Sequence, residues 1–234
     1  MKRFILFVLI WICLWVTPVH AGTIDVSGAT VATLITTVRY NLNETTATFW
    51  ADAEFILWCD EAITEIVNQT RCLEHAFTSI KLVDMDFDYE LASSYLDIEA
   101  VYHNNADITD PYIIISLQRM DIKDFAHIRE SGRPKFWTLW GDLILIWPLP
   151  DTTYAGTYLY VYYVTLPTGV SQTTSAIETP AYFDPAIIDY MCAKALYKDN
   201  KPILADKYMA SFQNRINIYN VNIVHHQAGE KVGQ

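Results

Sequence analysis

The stretch from Phe136 to Pro167, FWTLWGDLILIWPLPDTTYAGTYLYVYYVTLP, constrains the fold more than any other part of the chain. Two apolar runs meet at Gly141-Asp142, a pair suited to a two-residue hairpin loop because glycine accepts positive φ without steric cost. With that loop, Trp140 lies opposite Leu143, Thr138 opposite Leu145 and Phe136 opposite Trp147, all on one face. Trp137, Leu139, Ile144 and Ile146 share the other face. A third run, Thr157 to Thr165, alternates Tyr158, Tyr160 and Tyr162 with Leu159, Val161 and Tyr163. All these faces are apolar or aromatic, whereas an antiparallel sheet with one wet face shows polar residues at alternate positions. Both sides therefore need cover: the chain's own helices on one, and another layer or a neighbouring subunit on the other.

The 234-residue chain opens like a secretory signal. Lys2 and Arg3 supply the charged start, Phe4 to Val16 is unbroken apolar sequence, and Val19-His20-Ala21 reads as a small-x-small cleavage site. That apolar run is shorter than the roughly 20 residues a membrane-spanning helix needs. Residues 1–21 thus read as a signal-peptide-like segment, with no membrane association once it is removed. Residues 22–224 read as a single domain long enough to bury a large core, and residues 225–234 as a flexible C-terminal tail. The formal net charge is −11, and loss of Lys2 and Arg3 makes it more negative by two. Such acidity disfavours tight binding to a phosphate backbone and adsorption on anionic membranes. Cys59, Cys72 and Cys192, the cysteines beyond Cys13, are odd in number and widely spaced, so neither a disulfide framework nor a metal knuckle follows. Cys59 and Cys192 fall in helical apolar patterns and read as core.

Along the chain, Val31, Leu34, Ile35, Val38 and Leu42 recur at helical spacing and predict a helix over 29–42. A second helix is predicted over 52–70, with Phe55, Cys59, Ala62, Ile63 and Ile66 on one face and Asp52 as its cap or first-turn acid. The period then changes. Residues 78–83, 95–102 and 112–117 are rich in β-branched and aromatic side chains and predict strands, with a turn at His103–Asp107. Asp121 to Arg129 predicts a short helix, and residues 168–179 a loop or extended arm. Asp184-Pro185 starts another helix, and Leu204, Tyr208, Phe212, Ile216, Tyr219 and Ile223 mark a last one from Pro202 to Ile223. The order predicts an α+β domain, with N-terminal and C-terminal helices packed on a central antiparallel β-sheet that carries the aromatic hairpin.

Little in this sequence points to chemistry. No dinucleotide, phosphate-loop, zinc-protease or nucleophile-elbow motif occurs. Asp84, Asp86, Asp88 and Glu90 alternate as in a calcium loop, but Tyr89 and Tyr95 stand where that loop needs glycine and glutamate, so these acids read as a solvated strand face or loop. His225-His226 lacks a third ligand, and His75, His103 and His127 stand alone. No catalytic, metal or cofactor-binding residue is assigned. Asn43-Glu-Thr and Asn68-Gln-Thr match the glycosylation sequon, which matters only in a eukaryotic secretory pathway. The 15 tyrosines and 7 tryptophans fit either a sugar-stacking platform or a core with a protein interface. Few polar residues lie among them to orient a sugar, which favours core and interface.

Three segments carry a likeness. The first is Val38-Arg-x-x-Leu-Asn, then Phe49-Trp50-x-Asp-x-Glu-Phe and Asp60-Glu-Ala-Ile-x-Glu-Ile. The second is Pro134-Lys-Phe-Trp with the hairpin, Ile146-Trp-Pro-Leu-Pro-Asp and the tyrosine-rich strand. The third is Thr179-Pro-Ala-Tyr-Phe-Asp-Pro-Ala-Ile-Ile-Asp-Tyr, followed by Ala193-Lys-Ala-Leu-Tyr and Ala205-Asp-Lys-Tyr-Met-Ala-Ser-Phe. In order and spacing the chain resembles the head-to-tail adaptor (connector) proteins of tailed bacteriophages. The resemblance implies a structural virion protein assembled in the host cytoplasm, not an enzyme. It implies a homo-oligomeric ring, a dodecamer, that binds the portal protein on one side and tail or head-closure proteins on the other. DNA passes through such a ring without specific binding. Trp137, Trp140, Tyr158, Tyr160, Tyr162, Ile216, Tyr219 and Ile223 are the expected subunit or portal interface. Two departures stand out: Ala51 replaces the usual serine or threonine cap, and the signal-like start is foreign to a cytoplasmic adaptor. That start keeps an alternative open, a secreted or periplasmic aromatic-rich module binding a polysaccharide or protein.

Overall fold

The computed structural model describes residues 27–44, 49–91, 95–104, 114–125 and 130–230. The signal-like segment, most of the predicted turn after His103 and the end of the chain lie outside the described residues. Helices α1 (Val31–Asn41), α2 (Asp52–Thr70), α4 (Asp184–Lys198) and α5 (Pro202–Glu230) form one body. On α1 the predicted stripe Val31, Leu34, Ile35 and Val38 is buried. Helix α2 has the predicted ends. Ala51 is its N-cap and Asp52 its first-turn acid, and the Glu54 carboxylate accepts from the Ala51 N–H at 3.1 Å in place of a side-chain cap. Arg71, in the left-handed region at φ 55°, ends the helix. Its guanidinium then pairs with Asp97 and Glu99 on the strand beyond.

Helix α4 packs on α1, α2 and α5, so it is apolar nearly all round. Its alanines, Ala186, Ala193 and Ala195, are fully buried and let the other helices approach closely. Phe55, Phe183, Ile187, Met191, Phe212 and Ile216 fill the space between them. Arg39 fixes the α1–α2 connection. It reaches Glu44 at 2.9 Å, Asp52 at 2.7 Å and the Trp50 carbonyl at 2.8 Å, and lies over the Phe55 ring. Helix α5 continues to Glu230, past the Ile223 at which its apolar pattern stops, because no strong helix breaker intervenes before Gly229.

Among the described residues the strands form two four-stranded sheets. In the first, β1 (Glu74–Lys81), β8 (Tyr158–Thr165), β3 (Tyr95–Asn104) and β4 (Ile114–Ser116) lie in the order β1-β8-β3-β4. In the second, β2 (Asp88–Glu90), β7 (Leu143–Trp147), β6 (Phe136–Trp140) and β5 (Gln118–Arg119) lie in the order β2-β7-β6-β5. A single turn of helix, α3 (Ile122–Phe125), follows β5 and packs on β6. The hairpin has the predicted register throughout, with Trp140 opposite Leu143 and Phe136 opposite Trp147, and Gly141 sits at φ 60°.

The tyrosine-rich run does not extend the hairpin's sheet. It is the central strand β8 of the other sheet, held between β1 and β3. The segment after Trp147 turns the chain across, with the Leu82 N–H bonded to the Thr157 carbonyl and the Gly156 N–H to the Leu82 carbonyl, both at 2.9 Å. The buried face of the hairpin is therefore covered by the β1-β8-β3-β4 sheet: Trp137, Ile144 and Ile146 share a core with Leu159, Val161, Tyr163, Ile98 and Val101. The α+β class stands, with two antiparallel-dominated sheets where one was expected. The bundle and the sheets keep separate cores, linked by Leu73 and Leu96 against the helices and by the Thr165 N–H bonded to the Leu73 carbonyl.

Candidate interaction surface

Alternation along β8 sends Leu159, Val161 and Tyr163 inward and Tyr158, Tyr160 and Tyr162 outward. Register then sets their neighbours. Tyr160 lies opposite Tyr102 on β3 and Ser79 on β1, Tyr162 opposite Ala100, and Tyr158 opposite Asn104. Tyr102 meets Tyr162 edge to face at 5.5 Å, and the Asn104 side-chain amide donates to the Tyr160 hydroxyl at 3.1 Å. The outer face is thus an ordered aromatic patch. Tyr158 and Tyr162 are 41% and 37% exposed, enough to bury substantial area against a partner.

The other expected interface residues divide by burial. Trp140, at the hairpin tip, is 64% exposed. Trp137 is only 4% exposed and Ile216 fully buried, so both are core residues whose side chains contact their own chain. Their apolar patterns served internal packing, Trp137 between the sheets and Ile216 between helices. Tyr219 is half-buried in a ring cluster with Tyr182 and Phe183. The Ile223 side chain lies outside the described residues.

Sequence reasoning missed two parts of the surface. Tyr102 completes the aromatic face, but only the non-local pairing of β3 with β8 reveals that. Val83, Met85 and Phe87 are all exposed on the loop leading into β2. They alternate with the acids considered as calcium ligands, and the pattern was visible there. Asp84, Asp88 and Glu90 are exposed, as a solvated loop and strand require. Among the described residues no group of side chains is arranged to hold a metal, and no helix is long and apolar enough to cross a membrane.

His103 does not sit in a turn. It lies in β3 and is fully buried, because its side chain points inward between the outward-facing Tyr102 and Asn104. The Thr157 hydroxyl donates to the Tyr154 carbonyl at 2.6 Å, so it accepts from His103 Nε2 at 2.8 Å. Nδ1 has no partner among the described residues. Burial, and secondarily the Arg133 charge, push the imidazole down to about 4. The neutral ring is held as a packing element. Cys59 and Cys192 are buried as expected, Cys72 with them, and burial pushes the Cys59 and Cys192 thiols up to about 12. They are inert core residues.

No curated protein matches the sequence. The family model described as SU10 adaptor protein matches residues 29–230, which span all the helices and strands above. The aromatic outer face, the sheets packed on each other and the bundle with its long last helix are therefore features of a chain that belongs to the SU10 adaptor protein family.

Proposed function

We propose that this chain is a head-to-tail adaptor subunit of a tailed phage, forming a homo-oligomeric ring between the portal protein and the tail or head-closure proteins. Family membership supplies the coarser role, a structural adaptor of a phage. The observation that carries the finer reading is the outer face of the β1-β8-β3-β4 sheet. Its other face is already packed, yet Tyr102, Tyr158, Tyr160 and Tyr162 form an ordered, half-exposed aromatic surface, as a protein partner requires. Exposed Trp140 at the hairpin tip and Tyr219 on the long α5 extend the candidate contact, with the expected count of copies a dodecamer. The net charge of −11 fits a conduit through which DNA slides without ion pairs to its phosphates. Assembly takes place in the host cytoplasm and the product is a virion component.

The test is co-sedimentation of the chain with the portal protein of its phage, alongside fractionation of cells that make both. The adaptor role predicts cytoplasmic protein that sediments with the portal. Processed protein outside the cytoplasm that ignores the portal overturns it in favour of a secreted or periplasmic binding module.

A further inference from the structure

We propose that the two edges of the hairpin sheet, β2 and β5, are the contact between neighbouring copies of this chain. The inference rests on the ring just proposed and says which surfaces close it. In the order β2-β7-β6-β5 these strands are the two ends of one sheet. The Phe87 carbonyl accepts from the Ile146 N–H at 2.9 Å and the Leu91 N–H donates to the Asp142 carbonyl at 3.1 Å. By the antiparallel alternation, the backbone groups of Asp88 and Glu90 between them face away from β7. On the far side, the Gln118 N–H bonds to the Lys135 carbonyl and the Met120 N–H to the Trp137 carbonyl, both at 2.9 Å, so the backbone of Arg119 faces outward. Among the described residues no hydrogen bond reaches either outer edge.

The two edges carry opposite charge. Asp84, Asp86, Asp88 and Glu90 line the β2 side. On the β5 side Arg119, Lys123 and Lys135 outnumber Asp121 and Asp124. Arg119 is set in place by the Trp137 ring, 5.3 Å away. The rows also align. Arg119 pairs with Trp137, Trp137 with Ile146, and Ile146 bonds to Phe87, so Arg119 is level with Phe87 and on the same face of the sheet. β2 and β5 both run parallel to β6, so two copies brought edge to edge form a parallel pair.

Apolar area reinforces the charges. Val83, Met85 and Phe87 are 54%, 58% and 44% exposed, yet their loop is fixed. The Val83 N–H donates to the Tyr89 hydroxyl at 3.1 Å and the Met85 N–H to the Pro150 carbonyl at 2.8 Å. Ile114, which opens β4 in the segment leading to β5, is 53% exposed. Like charges oppose a two-fold contact of β2 with a second β2. Attraction between unlike edges leaves a head-to-tail contact, the kind that closes rings.

The experiment uses the full chain, with portal protein added where the chain needs it to assemble. Asp88→Lys with Glu90→Lys should lower the assembled fraction by about tenfold, as should Arg119→Glu with Lys123→Glu, and the four changes together should restore it. These residues are exposed, so the circular dichroism spectrum stays at its wild-type form and separates lost assembly from lost folding. Phe87→Cys with Arg119→Cys in one chain, level with each other and on the same face of the sheet, should oxidise to a ladder of covalent multimers. A wild type that assembles while the charge variants assemble equally and the double-cysteine chain forms no ladder overturns the edge contact and leaves the ring intact. A covalent dimer from Phe87→Cys alone also overturns it, by showing a two-fold contact. A wild type that stays monomeric with and without portal overturns the ring and the edge contact together.

Discussion

Acidification should weaken this fold through one side chain. His103 is fully buried, donates from Nε2 to Thr157 and offers Nδ1 no acceptor among the described residues, so a second proton there has nowhere to point. Its folded-state value lies at about 4, against an ordinary 6.5. The unfolded chain therefore takes up a proton as pH falls through 6.5, and the folded chain only near 4. Stability is unaffected above this window, falls inside it and levels off below. At roughly 1.4 kcal/mol per pH unit, the gap amounts to about 3 kcal/mol. Other groups act in or near the same range. Asp184, raised by burial, gains stability on protonation and opposes the trend, and Glu54, lowered chiefly by its Lys198 contact, loses its contribution as pH falls below 4.5. Comparison with His103→Gln cancels both. Urea midpoints of the two proteins, taken in half-unit steps from pH 7.5 to 4 at fixed protomer concentration, give the difference directly. The wild type should lose about 3 kcal/mol more than the variant over this range. Parallel curves would refute the burial and tautomer assigned to His103.

Three further outcomes follow. Arg39→Ala should cost about 3 kcal/mol, because it removes the buried charge that meets Glu44, Asp52 and the Trp50 carbonyl; a urea titration measures it. Cys59 and Cys192, buried and with thiols pushed up to about 12, should react with a thiol reagent only at the rate of unfolding, read by absorbance with and without denaturant. Gly141→Ala should cost about 1 kcal/mol through its φ of 60° alone, since nothing lies within 4 Å of the added carbon; the shift in melting temperature reports it.

Local chemistry made much of this fold legible. The Gly141-Asp142 loop fixes the hairpin register, because a two-residue turn leaves one pairing that keeps the strands continuous. The apolar stripe of α2 and its first-turn acids mark its ends, and glycine, proline or a polar cluster punctuates most other elements. Long-range choices were not legible. Period-2 alternation in β8 says that both its faces are apolar but not whether β7 or β3 lies beside it, and that pairing decides that Tyr102 joins the outer face. A lone His103 before an asparagine pair looks like turn chemistry until β3 is seen to run through it. Trp137 and Ile216 showed the same difficulty at the candidate surface. Large apolar side chains mark cores and interfaces alike, and only burial separates them from Trp140 and Tyr162.

The central claim is that this chain is one copy of a ring seated on a portal. Native mass spectrometry of the purified complex counts its subunits directly. The account predicts a single discrete species carrying many 26.8 kDa copies of the chain, expected as twelve, per portal ring. Monomer alone, both free and in the presence of portal, would contradict it.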